Sequence, residues 1–427
     1  MEDKETSNNK KNKGLGNFFI GLATGVICTV VVIIIGIVGL ALFVVDYIST
    51  ADKNYLMMNA GLTQSENIED LEDIQDKMEY IQEIIDAYYY YDVDMDAMAD
   101  GVFAGMLASL EDPYSVYYDK EAFTALMEST SGTYCGIGVV VSQNVETMEI
   151  TVVNPYEGCP GYEAGMQPGD IIIGADDVDF TGLDINEAVS YIKGEEGTTV
   201  IIHIKRGDEV LDLEVTRRQI DIPTVDYEKL EGDIAYIAIS SFDSVTYDQF
   251  KKALDEAKAD GCVGYIFDVR DNGGGLYDTV VDMLDDLLPA GKLVYTEDKY
   301  GTKEIEYSDD GFLDAPMAVL INGNSASASE VFAGAIQDYE AGKLIGTTSF
   351  GKGIVQSILS LGDGTAVKVT ISSYFTPNGR NIHGEGITPD IEVELPQEEE
   401  AYDNGYLKRE YDTQLQKAIE YILGEIK

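Results

Sequence analysis

Histidine, paired cysteine and basic residues are scarce in this chain, and each shortage excludes a class of protein. The 427 residues include two histidines, His203 and His383, and four cysteines without any CxxC spacing. A Cys/His zinc site or a disulfide framework therefore has little material, and we predict no metal or other cofactor. With 28 Lys and Arg against 78 Asp and Glu, the formal net charge of −50 repels nucleic-acid phosphates, which argues against a nucleic-acid partner.

The shortage of histidine also bears on hydrolase chemistry. A serine hydroxyl is a poor nucleophile until a base removes its proton, and histidine is the commonest base. His203 lies in a strand pattern and His383 in a glycine-rich segment, and we interpret both as structural. The esterase motif G-x-S-x-G is also unmet, because Gly323-Asn324-Ser325-Ala326-Ser327 ends in serine. A Ser-His-Asp hydrolase is therefore disfavoured.

What the chain does have, near its N-terminus, is an uncharged apolar run over 18–45 that follows four lysines. A helix of that length, at about 1.5 Å per residue, is longer than the roughly 30 Å hydrocarbon core of a bilayer. We predict a single-pass anchor in the cell membrane, with a cytoplasmic N-terminus and an extracytoplasmic remainder. A cleaved signal peptide is the alternative, but the run exceeds a usual h-region and no A-x-A-like site closes it.

Helical spacing of apolar residues predicts two helices after the anchor. Met78, Ile81 and Tyr88 share one helix face, and a second pattern runs from Met95 and ends before Asp112-Pro113. A further amphipathic helix is expected near the C-terminus, with its apolar stripe at Leu407, Tyr411, Leu415, Ile419 and Ile422. These terminal helical regions suggest a packing layer or a homodimer contact.

Between these regions, the apolar period changes to two after Tyr134, and short strands surround a helix over 185–192. The loop Gly136-Ile137-Gly138 could turn backbone N–H groups outward to hold a peptide carboxylate, while the peptide adds as a strand to an exposed edge. This loop and the later Ala164-Gly165-Met166-Gln167-Pro168-Gly169-Asp170 resemble a PDZ domain. Gly136, Ile137 and Gly138 are the predicted peptide-binding residues.

From about residue 219 the pattern becomes α/β, and two of its turns carry candidate chemistry. Asn322 to Glu330 is a serine-rich turn between the apolar run 317–321 and a helix pattern, and the residues alone leave Ser325, Ser327 and Ser329 as alternatives. The second turn, Gly273-Gly274-Gly275, follows a buried strand. Backbone N–H groups of this turn and of Ala328 could hold an oxyanion.

Lysine can replace histidine as the base only if desolvation lowers its pKa, which is ordinarily about 10.4. Lys352 suits this role, because Gly351 and Gly353 allow close backbone approach and Phe350 and Ile354 could exclude water. In an extended strand, Gln356 would lie on the same face as Lys352 and could orient its amine. A salt-bridged surface lysine is the competing interpretation.

With these motifs in order, the chain resembles the carboxyl-terminal processing peptidases, a Ser/Lys family also called tail-specific proteases. The resemblance runs from about Leu110 to Leu395 through DPYSVYY, STSGTYCGIG, DVRDNGGG, NSASASE, SFGKG and TPNGRNIHGEGITPD. It implies the following roles: Ser327 as nucleophile, Lys352 as base, Gln356 as its assistant, Gly274, Gly275 and Ala328 as the oxyanion hole, and Asp338 as a supporting residue. Gly273 replaces the family's proline, which loosens the oxyanion loop.

The resemblance also implies an architecture and an activity. The expected fold is an α/β protease core, a mixed sheet with helices in crotonase-like ββα units, with an inserted PDZ domain, a helical N-terminal layer and one transmembrane helix. The expected activity is endopeptidase action on proteins whose C-terminal tails the PDZ domain binds, without a cofactor. An inactive PDZ peptide-binding scaffold is the alternative.

The expected segments are a cytoplasmic N-terminus (1–17), the anchor (18–45), a linker (46–67), a helical region (68–131), the PDZ domain (132–218), the protease core (219–395) and an acidic segment with a helix (396–427).

Overall fold

The computed structural model describes residues 68–403 and 406–426, so the predicted N-terminus, anchor and linker (1–17, 18–45 and 46–67) lie outside the described residues. Within these ranges, no helix is both long enough and apolar enough to cross a membrane. The helices are α1 (Ile68–Tyr88), α2 (Met95–Ala108), α3 (Lys120–Ser131), α4 (Pro160–Glu163), α5 (Ile185–Ile192), α6 (Thr246–Ala259), α7 (Tyr277–Asp285), α8 (Ala328–Asp338) and α9 (Thr413–Glu425).

The strands lie before, between and after these helices, several of them in succession. They are β1 (Val116–Tyr118), β2 (Thr133–Gly136), β3 (Val139–Gln143), β4 (Ile150–Pro155), β5 (Ile171–Ala175), β6 (Val178–Asp179), β7 (Thr199–Arg206), β8 (Glu209–Thr216), β9 (Arg218–Asp221), β10 (Val225–Leu230), β11 (Ile234–Ile239), β12 (Gly264–Asp268), β13 (Gly291–Asp298), β14 (Lys303–Ser308), β15 (Met317–Ile321), β16 (Gly342–Gly346), β17 (Ile354–Ser360), β18 (Ala366–Phe375), β19 (Ile391–Glu392), β20 (Tyr402–Asp403) and β21 (Tyr406–Leu407).

Helix α1 belongs to a first unit of the chain that ends at Met95, and all later elements belong to a second unit. The predicted helical patterns over Met78 to Tyr88 and from Met95 are confirmed by α1 and α2. Helix α3 has a defined start and end: the Asp119 carboxylate accepts the N–H of Ala122 at 2.7 Å, and Gly132 ends the helix at φ 67°.

The segment that resembles a PDZ domain is a six-stranded sheet in the order β3-β4-β5-β7-β8, with β6 on β5 and helix α5 packed on it. Strand β3 is therefore an edge strand. Asp170 is buried and accepts two hydrogen bonds from Arg206, which ties the domain's signature loop to β7. Where the chain enters and leaves this domain, β2 and β9 pair as a separate antiparallel ladder, with Gly136 opposite Arg218.

The α/β segment after residue 219 forms a sheet in the order β10-β11-β12-β15-β16-β19, in which the strands from β11 to β19 are parallel. Both faces are covered, as a parallel sheet requires. Ile237 and Val319 face the core beneath α6, α7 and α8, whereas Ile234 and Leu320 face helix α9. A second sheet has the order β1-β18-β13-β14 with β17 on β18, and the base candidate Lys352 lies in the loop just before β17.

The predicted C-terminal helix was placed too early. Helix α9 begins at Thr413, because the Asp412 carboxylate accepts the N–H of Leu415 at 2.9 Å and caps it. Leu407 lies in the short strand β21 and Tyr411 in a 3₁₀ turn, so neither belongs to the helix stripe. Leu415 and Ile422 do face the core sheet.

Candidate active site

The serine-rich turn connects β15 to α8, and the surroundings of its three serines differ. Ser325 is fully buried and its hydroxyl donates to the carbonyl of Val269 at 2.7 Å. Ser329 is equally buried and donates to the carbonyl of Asn272 at 2.8 Å. Only Ser327 of the three lines the adjacent cavity. The structure therefore separates two serines that hold the turn together from one that is available to a substrate.

Ser327 itself has a strained backbone, with φ 56° and ψ −116°, at the N-cap of α8. A serine in this region of φ/ψ space persists only where neighbouring contacts hold it. One of these contacts is the hydroxyl of the buried Tyr374, which donates to the carbonyl of Ser327 at 3.0 Å. The strain directs the serine side chain to the cavity wall at the positive end of a helix.

Glu330, in the first turn of α8, connects the nucleophile turn to the lysine loop. It is fully buried, and one carboxylate oxygen accepts the N–H groups of Ser327 at 2.9 Å and Lys352 at 2.8 Å. The other oxygen accepts the hydroxyl of Ser349 at 2.6 Å and the N–H of Gly351 at 2.7 Å. One buried carboxylate thus fixes the backbone of both reactive candidates.

Lys352 lies where the predicted glycines allow two backbones to meet. Gly351 has φ 91°, and a Cβ there would lie 2.9 Å from the N of Gly386; a Cβ on Gly353 would lie 2.6 Å from the N of His383. The ammonium group rests 4.9 Å from the centre of the Tyr114 ring. A side chain at position 351 or 353 would therefore push these two backbone segments apart and move Lys352.

Burial lowers the pKa of Lys352 below 10.5, and the nearby Lys368 lowers it further, whereas Glu330 and Asp112 oppose the shift. The direction is the one that a lysine base requires. Phe350, which we expected to exclude water, is 56% exposed, so this shielding comes from other cavity residues. The competing interpretation, a salt-bridged surface lysine, does not fit, since no carboxylate in the described ranges forms an ion pair with Lys352.

Gln356 lies in the same cavity as Lys352. Its amide, however, donates to the hydroxyl of Thr370 at 3.3 Å, and that hydroxyl donates to Asp112 at 2.7 Å. An irregularity of the β17–β18 register between Val355 and Gln356 breaks the strict alternation that we assumed from sequence. Gln356 therefore joins a network with the carboxylate of Asp112, and its assisting role toward Lys352 stays a prediction.

The glycine turn lies directly against the nucleophile. A Cβ on Gly274 would lie 2.8 Å from Ser327 Cβ, so a side chain there would displace the serine. The N–H of Gly274 already donates to the side chain of Asn272 at 2.8 Å. In the part of the chain that the structure describes, no acceptor pairs with the N–H groups of Gly275 and Ala328. Of the three predicted oxyanion residues, these two have free donors and Gly274 provides the space.

Ser327 and Lys352 line one cavity of about 580 Å³. Its apolar wall consists of Leu126, Leu276, Val331, Ile354, Val355 and Ile358. Across residues 68–403 and 406–426, no hydrogen bond joins the hydroxyl of Ser327 to the amine of Lys352. The two groups therefore share a site without the direct contact that proton transfer needs.

Asp338, the predicted supporting residue, lies at the far end of α8 and does not line this cavity. Its carboxylate pairs with Arg380 and accepts the N–H of Asn378 at 2.8 Å. It thereby fixes the loop that leads to His383, which lies against Gly353. Its position fits a structural role acting through that loop.

The predicted PDZ residues lie beside the free edge of the PDZ sheet. The carbonyl groups of Ile137 and Gly138 accept hydrogen bonds from Gly161 at 2.7 Å and Tyr156 at 2.9 Å. Among the residues described, no backbone acceptor pairs with the N–H group of Ile137, whereas the backbone N–H groups of Gly138 and Val139 interact with the hydroxyl of Tyr134. Gly136 belongs to β2, outside the PDZ sheet. Cys135 and Cys159 are free thiols, and His203 pairs with Asp212 as a structural histidine.

Sequence reasoning missed Glu330, Asp112, Lys368 and Tyr374. Only Glu330 left a usable signal, because Ser327 and Glu330 have the S-x-x-E spacing of a capping box ahead of a helix. Asp112 reaches the site from 258 positions away in sequence, through Thr370. A contact between residues so far apart in sequence leaves no local sequence pattern that could predict it.

Three family models match the chain: the Activating protease CtpB N-terminal domain over residues 35–122, the PDZ domain over 151–206, and Peptidase family S41 over 233–393. The S41 match contains Ser327, Lys352 and Gln356. The PDZ match lies inside the range 132–218 that the sequence predicted for such a domain. The order of the three models follows the predicted order of the segments.

The Carboxy-terminal processing protease CtpA of Bacillus subtilis is 37% identical over 324 residues, which are 75% of this chain and 69% of that protein. A Probable CtpA-like serine protease of Staphylococcus aureus is 36% identical over 75% of this chain, and the chain spans 65% of its length. A solved structure titled photosystem II D1 C-terminal processing protease shares 29% identity over 73% of this chain and 86% of its own, with a TM-score of 0.45.

The B. subtilis relative shares 37% identity over most of both chains, and the S41 and PDZ models match the parts of this chain where the sequence motifs predicted such domains. The expected S41 fold with a PDZ domain is thereby confirmed. This chain belongs to peptidase family S41.

Proposed function

We propose that this chain is a membrane-anchored extracytoplasmic serine endopeptidase that recognises protein C-terminal tails and cleaves by a Ser327/Lys352 acyl-enzyme mechanism. The single observation that carries the mechanism is the shared cavity: Ser327, alone among the turn serines, lines it together with Lys352, which burial shifts to a lower pKa and which has no ion pair among the described residues. A lysine whose pKa burial lowers, together with a half-buried serine that lines the cavity, could do the work that histidine does in other serine hydrolases.

In the first step, Lys352 accepts the proton of the Ser327 hydroxyl while the oxygen attacks the scissile carbonyl carbon. The N–H groups of Gly275 and Ala328 stabilise the resulting oxyanion. Collapse breaks the C–N bond, and the protonated Lys352 gives its proton to the leaving amine. Water then attacks acyl-Ser327 with Lys352 again as base, which releases the acid and restores both residues.

Substrate recognition is assigned to the PDZ domain. The N–H group of Ile137 suits a terminal carboxylate, and edge strand β3 can accept the tail as an added strand. A substrate with a C-terminal amide lacks the negative charge that this donor binds. It should be cleaved several-fold more slowly than the same polypeptide with a free carboxylate.

The decisive test uses the full-length chain in detergent and an unstructured protein substrate with an apolar C-terminus. Ser327→Ala and Lys352→Ala should abolish cleavage, whereas the controls Ser360→Ala and Lys292→Ala, outside the cavity, should retain it. Cleavage by either active-site variant at the wild-type rate would refute the mechanism. Membrane fractionation with protease protection tests the anchor, which predicts that only the N-terminal segment is shielded on the cytoplasmic side.

A peptide-binding scaffold is the second candidate, because no hydrogen bond joins Ser327 and Lys352 within the described ranges. A scaffold would bind C-terminal tails with the same affinity in wild type and Ser327→Ala and would cleave nothing. An endopeptidase would bind equally well in both but cleave only as wild type. Binding and cleavage measured on the same samples therefore separate the two functions.

A further inference from the structure

Lys368 is a second lysine in the wall of the cavity that contains Ser327 and Lys352. It lies in β18, opposite Ile358 on one side and Val116 on the other, so two neighbouring strands fix its backbone. Neither lysine forms an ion pair with a carboxylate in the part of the chain that is described. With 78 acidic against 28 basic residues in the chain, carboxylates are plentiful, so two lysines without a carboxylate partner in one cavity indicate a specific role.

Both ammonium groups rest on tyrosines of one short segment. Lys352 lies 4.9 Å from the ring centre of Tyr114, and Lys368 lies 5.3 Å from that of Tyr118. Contact with an aromatic face holds a cation without neutralising it, unlike a carboxylate. The segment is itself fixed, because the hydroxyl of Ser115 accepts the N–H of Thr370 at 3.0 Å on β18. The two lysines are thus held in the same cavity by one structural device.

From this geometry we propose that Lys368 is a positioning residue that keeps Lys352 in its neutral, basic form. Bringing a proton to Lys352 creates a second positive charge in a cavity that already contains one, and the repulsion opposes it. Lys368 thus contributes to catalysis through Lys352, without touching the substrate's reacting atoms. The inference rests on the proposed Ser/Lys mechanism.

The other charged and titratable groups around Lys352 leave this role to Lys368. Glu330 on α8 accepts hydrogen bonds from three N–H groups and one hydroxyl, and Asp112 accepts hydrogen bonds from two hydroxyls and one N–H group. Both carboxylates favour the charged lysine, and burial and Lys368 oppose them. The ring of Tyr114 contacts Lys352, Tyr374 is buried, His383 acts on Asp112, and Asp243 and Asp278 also line the cavity.

The test compares the pH dependence of kcat/KM for wild type, Lys368→Met and Lys368→Arg, with Lys292→Met as control. Lys292 also contacts a tyrosine ring, at 4.8 Å from Tyr295, but does not line the cavity. Loss of one nearby charge should raise the pKa of the base and move the acid limb by about one pH unit to higher pH. Activity should fall about 10-fold at the wild-type limb and recover at high pH. Lys368→Arg and Lys292→Met should leave the limb in place.

A direct readout uses the folded Ser327→Ala chain with ¹³C-methylated lysines, in which NMR follows the titration of Lys352 without any turnover. Lys368→Met should raise the observed pKa of Lys352, and Lys368→Arg should not. An unchanged titration and an unmoved acid limb would overturn the inference, as would a higher KM with an unmoved limb, which would assign Lys368 to substrate binding. These results leave the Ser/Lys mechanism standing, whereas full cleavage by Lys352→Ala would overturn the mechanism itself.

Discussion

Replacing Glu330 by glutamine should disable the site and destabilise the protein, although the two side chains have nearly the same shape. The carboxylate accepts four hydrogen bonds, three from backbone N–H groups and one from Ser349. Glutamine keeps one acceptor oxygen and presents an NH₂ group in place of the other. Two N–H donors, or a donor and a hydroxyl, would then face a donor in a fully buried position.

The less costly orientation places the amide nitrogen toward Ser349 and Gly351. The Ser349 hydroxyl can rotate to accept, since it already accepts the N–H of Ile387 at 2.7 Å, but the N–H of Gly351 cannot. Two hydrogen bonds to a charged group are weakened or lost, each worth about 1.5–3 kcal/mol. We therefore expect Glu330→Gln to lower the free energy of unfolding by about 3 kcal/mol, which is two such bonds at the lower value of that range.

Urea unfolding gives the stability, and the rate at which a fluorophosphonate acylates Ser327 gives the integrity of the site. The matched control is Asp170→Asn, which removes a buried, hydrogen-bonded carboxylate from the PDZ domain. It should destabilise the protein while leaving the acylation rate within about 2-fold, the scatter expected of a distant site. A Glu330→Gln protein with wild-type stability and a wild-type acylation rate would refute the reasoning.

Three further predictions follow from the same contacts. Gly351→Ala should abolish most activity, because at φ 91° its Cβ would lie 2.9 Å from the N of Gly386. The control Gly362→Ala, at φ 86° with no atom within 4 Å of the new Cβ, should cost only about 1 kcal/mol of stability and no activity. Equal effects of the two substitutions on the cleavage rate would contradict this. Asp112→Asn should reduce kcat about 10-fold with little change in KM, because it weakens the hydrogen-bond network that holds Gln356 and Thr370. A change in KM alone would instead assign Asp112 to substrate binding. Lys352→Met should raise the thermal midpoint at neutral pH. Burial lowers the pKa of Lys352 in the folded protein, so between that lowered pKa and 10.5 the unfolded chain binds more protons and the stability of the wild type rises with pH. The stability gain of the mutant over the wild type should therefore be largest below this pH window and vanish above it, as thermal unfolding at several pH values would show.

Much of the fold could be predicted because local pattern and tertiary structure agree. The helix expected over 185–192 is α5 with the same bounds, since Asp184 caps its start and Ala188 and Ile192 face the PDZ core. The apolar run 317–321 is the fully buried strand β15. Strong periodicity and a good cap decided these elements without help from the rest of the chain.

The site resisted prediction where a residue's role depends on distant backbone. Three serines at alternate positions look alike in sequence, and what separates them is that the carbonyls of Val269 and Asn272 bind Ser325 and Ser329. The register irregularity in β17 leaves no recognisable sequence pattern either, so the sequence could not reveal that strict alternation of Lys352 and Gln356 on one face breaks down. Family resemblance selected Ser327, and burial now gives the physical reason.

The most direct test of the account is to map the site of fluorophosphonate acylation by mass spectrometry, at neutral pH, in the wild-type chain and in Lys352→Ala. A Ser327 nucleophile activated by a neutral lysine predicts a single adduct on Ser327 that forms at least 100-fold more slowly without Lys352, the scale of general-base catalysis. An adduct on Ser325 or Ser329, or equal acylation of Ser327 in both proteins, would contradict it.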